Sequence, residues 1–137
     1  MGIDVGRVRV GVAFCDPLGI SCAPFDVFPK AQGRAERSIL KLIDENSVKL
    51  VVVGMPYNQS GEKTVQCEMV QHFISRLERR VPSDVKIVCQ DEYLSSEEAI
   101  QRMVERGIDV QKHPVDAVAA LVILEDYLKE NKVETNL

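Results

Sequence analysis

A chain of 137 residues is long enough for one domain that buries about 70% of the surface its unfolded form exposes, so it needs no staple to fold. Its 45% hydrophobic and 28% charged residues lie near globular averages, which excludes a disordered, coiled-coil or fibrous chain. A net charge of −4 excludes indiscriminate coating of nucleic acid, because non-specific affinity comes from Lys and Arg neutralising phosphate. Any nucleic-acid site has to be a local basic patch.

In chain order, Gly2 to Phe28 carries β-branched and aromatic residues broken by Gly6-Arg7 and by Asp16-Pro17-Leu18-Gly19, a pattern that predicts three short strands in a meander. Ala35, Ile39, Leu40, Leu42 and Ile43 recur at helical spacing and predict a helix over 33–46, with Gly33 and Asn46 as its ends. Val48 to Val53 is apolar except for Lys49 and is bounded by Gly54 and Pro56, which predicts a mid-sheet strand covered on both faces. Thr64 is positioned to cap a helix running to about Arg80, whose Val65, Met69, Phe73 and Leu77 form a four-residue ladder.

Pro82-Ser83 then precedes a strand from Val85 to Cys89 that ends at Asp91-Glu92. Ser95 and Glu98 form a capping box for a helix stopped by Gly107. Pro114 opens a last helix, Val115 to about Leu128, which is apolar nearly all round and therefore buried. Residues 129–137 read as a polar tail. The whole predicts one α/β domain over 1–137: a five-stranded mixed sheet, meander plus two parallel strands, with helices on both faces.

No apolar run reaches the length of a membrane span, and Asp4, Arg7 and Arg9 interrupt the amino terminus where a signal peptide needs an apolar core. Gly6 stands where a myristoylation motif needs Ser or Thr. A cytoplasmic protein without a membrane partner is expected. Cys15, Cys22, Cys67 and Cys89 lack zinc-type spacing with His72 or His113, so all four are expected to be buried thiols. The two histidines read as surface residues.

Three acids carry the chemistry. Asp4 lies in an otherwise apolar strand, Glu92 just past the last strand, and Asp116 in the first turn of the buried helix. Singly, each has a plainer reading, as a turn-former, a solvated loop acid and a helix-start acid satisfying backbone donors. Gathered at one sheet edge, they would repel by about 4 kcal/mol per pair at an effective dielectric of about 20. Hard oxygen ligands of this kind suit Mg²⁺ or Mn²⁺ and phosphoryl substrates. Asp91 is the rival to Glu92, since neighbouring strand residues face opposite ways.

The Gly54-to-Gly61 loop, with Asn58, offers backbone donors to phosphate but lacks the Lys-Ser/Thr ending of a Walker A loop. Arg9 is the leading cation for substrate, with Lys112 as a further candidate. Arg7, the group Lys30, Arg34 and Arg37, and the group Arg76, Arg79 and Arg80 read as solvated faces within reach of backbone phosphate.

Gly2-Ile3-Asp4-x-Gly6-x-x-Arg9-Val10-Gly11-Val12-Ala13, Asp16-Pro17-Leu18-Gly19, Val52-Val53-Gly54-Met55-Pro56 with Gly61, Asp91-Glu92 and Asp116-Ala117-Val118-Ala119-Ala120 together resemble the YqgF/RuvX family of Holliday-junction-resolvase-like bacterial nucleases. The resemblance covers essentially the whole chain. It implies a ribonuclease H-like fold and metal-dependent phosphodiester hydrolysis by a two-metal mechanism. Asp4 would then be the ligand shared by both ions, and Glu92 and Asp116 the others.

The implied role is processing of the 5′ end of pre-16S rRNA in ribosome biogenesis, by endo- or exonucleolytic cutting as a monomer or homodimer. Structured RNA is the expected partner, ahead of branched DNA, with ribosome assembly intermediates behind it. Val8, Cys15 and Tyr93 stand where members commonly carry Lys, Ser and Arg, so two cations are missing beside the site. A DNA resolvase and a catalytically weak RNA-binding assembly factor are the competing expectations. A sugar-kinase or actin-like ATPase would need two such domains.

Overall fold

The computed structural model describes residues 1–16, 21–57, 60–92 and 96–131. Three strands come first, β1 (Gly2–Val5), β2 (Arg9–Cys15) and β3 (Cys22–Pro29), joined as an antiparallel meander. Helix α1 (Arg34–Glu45) leads to β4 (Leu50–Met55), α2 (Val65–Glu78) to β5 (Lys86–Asp91), and α3 (Ser96–Glu105) to α4 (Val115–Glu130). The sheet order is β3-β2-β1-β4-β5, with β4 parallel to both β1 and β5. This is the predicted five-stranded mixed sheet.

The two-residue period of the strands sorts their side chains onto two faces. Ile3, Val5, Val10, Val12, Val51 and Val53 join α1 and α2 in one core, where each fully buried aliphatic side chain contributes roughly 1.5–3 kcal/mol. The other face carries small residues and receives α4. A Cβ on Gly11 would lie 2.0 Å from the Asp116 carbonyl oxygen, and one on Gly2 would lie 2.6 Å from that of Ala120. Only glycine lets the helix backbone come this close. Ala99 and Met103 of α3 pack on α4 in turn, so the apolar circumference of α4 reflects cover on both sides.

Several boundaries differ from the sequence expectation. β4 starts at Leu50 because the Val48 amide bonds the Ile43 carbonyl and closes the end of α1, and it continues through Met55 because Met55 still pairs with Asp91 of β5. Thr64 caps α2 as predicted, accepting from the Cys67 amide at 3.3 Å. Val65, however, is 85% exposed, and the buried stripe is Cys67, Val70, Phe73, Ile74 and Leu77. Lys129 and Glu130 belong to α4 rather than to a tail. Ser95, the Pro17-Leu18-Gly19 turn and residues 132–137 lie outside the described residues.

The cysteine expectation is corrected as well. The β2–β3 register sets Cys15 opposite Cys22, and the two are joined by a disulfide. Cys67 is a buried thiol and Cys89 an exposed one. Hairpin register, which decides this pairing, is invisible in spacing alone. No helix among the described residues is long and apolar enough to cross a membrane.

Candidate active site

β1 and β5 end on the same edge of the sheet as the first turn of α4. Ile3 and Val5 are buried toward α1 and α2, so the intervening Asp4 faces α4. Gln90 is buried on the α4 side, where its amide donates to Glu130 at 3.1 Å. Glu92, two residues on, keeps that side, and its amide donates to the Met55 carbonyl at 3.1 Å. Asp91 is exposed and does not line the cleft beneath α4, so of the two rivals Glu92 is the one that faces it. Asp116 stands in the first turn of α4, above the space that Gly11 leaves.

Asp4, Glu92 and Asp116 therefore line one cleft of about 330 Å³, together with Gly6, Gly54 and Gln66. Burial pushes the Asp4 carboxyl up to about 7, and the charges of Asp116 and then Glu92 add to the rise. Asp116 is the most exposed to relief: the Arg9 guanidinium Nε lies 3.3 Å from its carboxylate. With Arg9 66% exposed, that pair adds little stability and is easily exchanged. Among the described residues, no three His, Cys, Asp or Glu side chains are drawn tightly enough together to hold a metal ion as they stand.

The other expected substrate contacts divide. Gly54 lines the cleft and Arg9 reaches its rim through Asp116. Gly61, at φ +77°, sits exposed in the β4–α2 connection and does not line it. Lys112 ends a short 3-10 turn, pairs with Asp109 at 3.9 Å and also lies outside the cleft lining. Asn58 and Tyr93 lie outside the described residues. Gln66 went unnoticed in the sequence; its signal was its place just after the Thr64 cap, where α2 begins beyond the carboxyl end of β4.

A family model described as "RuvX: Holliday junction resolvase" matches residues 1–130. The chain belongs to the RuvX family. A relative from Fusobacterium nucleatum subsp. nucleatum, named "Putative pre-16S rRNA nuclease", is 31% identical over 135 residues, 96% of this RuvX chain and 97% of that protein. One of the same name from Chlorobium chlorochromatii is 34% identical over 136 residues, covering 96% and 95%. The solved structure titled "T. thermophilus RuvC in complex with Holliday junction substrate" matches with a TM-score of 0.60 at 14% identity, over 98% of this RuvX chain and 95% of that one. At that identity the likeness shows the fold, which is ribonuclease H-like.

Proposed function

We propose that this RuvX protein is a metal-dependent nuclease that hydrolyses phosphodiester bonds and processes the 5′ end of pre-16S rRNA in the cytoplasm. The observation that carries this reading is the convergence of Asp4, Glu92 and Asp116 on one cleft in a chain whose relatives bear the pre-16S rRNA nuclease name. The donor set fits a hard divalent cation: every candidate ligand is a carboxylate oxygen, and burial, with the charges of Asp116 and Glu92 adding to it, makes the Asp4 carboxylate one that a cation would relieve.

Asp4, Glu92 and Asp116 would hold Mg²⁺ or Mn²⁺ once side-chain motion closes the set. When bound as a pair, such ions supply an activated water for in-line attack and stabilise the leaving oxygen. Arg9, when Asp116 turns to the cleft, is left to neutralise a phosphate oxygen at the rim. Gln66, exposed at the start of α2, and the Gly54 backbone line the cleft where the strand being cut would lie. The family description supports branched DNA as the second substrate.

A cleavage assay with a pre-16S fragment and a four-way DNA junction, in Mg²⁺ and in chelator, tests the reading. It expects cutting of the RNA in Mg²⁺ only, and its loss in Asp4→Asn; full activity of Asp4→Asn would defeat it.

A further inference from the structure

Outside the cleft, the fold joins two basic groups that are forty residues apart in sequence. Glu36 of α1 has a side chain only 10% exposed, and Arg76 of α2 donates to it from Nε at 2.7 Å while the Arg80 guanidinium lies 3.7 Å away. Lys30 and Arg76 line, with Glu36, Gly33, Ala35 and Phe73, a hollow of about 340 Å³. Arg37 folds over its edge, donating to the Gln32 carbonyl at 2.6 Å beside Gly33. Arg76, Arg80 and Lys30 thus gather around one buried carboxylate, with Arg37 beside Gly33 at the margin of the hollow.

Lys30 feels the imbalance: burial and then the Arg76 charge lower its pKa, against a smaller opposing effect of Glu36. The β1–β2 turn stands between the hollow and the cleft. Gly6 lines the cleft and its amide bonds the Arg9 carbonyl across the β1–β2 turn; the Val8 carbonyl of that turn accepts from the Lys30 amide at 2.8 Å. A chain of net charge −4 that gathers these cations presents a local positive field for an anion here.

We propose that this hollow binds a backbone phosphate of the RNA substrate away from the scissile bond, the strand crossing the β1–β2 turn between hollow and cleft. The proposal rests on the nuclease reading and supplies the local basic patch that an acidic nuclease needs. Glu36 positions the patch; it fixes Arg76 while leaving the surrounding charges in excess.

Anisotropy of a labelled structured RNA over a salt series tests this, comparing the native sequence with the Lys30→Gln/Arg37→Gln double variant and with Arg37→Glu alone. Arg76 is left in place, because removing it would strand Glu36 as a buried charge. Arg37→Glu, at an exposed side chain, keeps the test alive should the double variant unfold in a thermal melt. The expected result is a log-affinity against log-salt slope shallower by about 1 to 2 and binding about 3- to 10-fold weaker near 100 mM salt. Cleavage of a short oligonucleotide that reaches only the cleft stays unchanged.

Folded variants with native slope and affinity overturn the proposal while leaving the nuclease reading intact. So does a loss seen only toward anionic vesicles or a phosphopeptide. A native protein that neither binds nor cuts RNA overturns both.

Discussion

Asp4 is worse off folded than unfolded, which is the residue-scale signature of a site rather than of a scaffold. Its carboxyl has an ordinary value of 3.8 and stands at about 7 in the fold. Between those values the folded chain holds a proton that the unfolded chain has released, so the stability Asp4 permits is fully present below about pH 4 and is lost as pH rises through 7. Metal-free Asp4→Asn is therefore expected to be more stable than the native sequence at pH 8, by up to a few kcal/mol at about 1.4 kcal/mol per pH unit, and equal to it near pH 4. Urea unfolding at the two pH values checks this. The same substitution is expected to cut cleavage by more than the roughly 10–100-fold that loss of an outer-shell partner costs. Glu92→Gln should do likewise, whereas Asp91→Asn, on an exposed side chain outside the cleft, should leave the rate within about twofold. Sequence left those two neighbours unresolved; burial of Gln90 toward α4 is what separates them.

At the scale of elements, α4 is the piece on which the site depends, because it carries Asp116 and closes the cleft over Asp4. Its seat is made of absent side chains. Gly11→Ala would push a methyl group to 2.0 Å from the Asp116 carbonyl, and neither backbone has a flexible end to yield. A loss of about 1–3 kcal/mol in urea unfolding is expected, with activity falling further than stability explains because Asp116 moves with the helix. Native activity in Gly11→Ala would show that the helix seat does not position the acid. This packing was the part least legible in the sequence: Gly2 and Gly11 read as strand residues, and no periodicity announces a helix lying on them. Element types were legible, since alternation, caps and the apolar α4 each follow from local pattern. Their edges were set by partners instead, as when Val48 bonds back to Ile43 and Met55 runs on beside Asp91. The Val65 ladder holds at Phe73 and Leu77, but its first rung lies at the exposed start of α2, and Cys67, Val70 and Ile74 complete the buried stripe.

For the whole molecule, the topology converts a chain read end to end into one edge where positions 4, 92 and 116 meet, and that convergence was legible only because β1, β5 and α4 could be placed in a known order. On the proposed reading, cation binding would couple to global stability. At about one hundred times its dissociation constant, Mg²⁺ is expected to raise the stability of the native sequence at pH 8 by about 2.7 kcal/mol and to leave Asp4→Asn nearly unmoved, as thermal melts at fixed protein concentration would record. The most direct test of the central claim is the anomalous difference map of a crystal soaked in Mn²⁺. The account predicts a peak in the cleft beneath α4, with oxygens of Asp4, Glu92 and Asp116 at about 2.1–2.2 Å. A cleft without a peak at saturating Mn²⁺, or a peak bound by acids elsewhere, would contradict it.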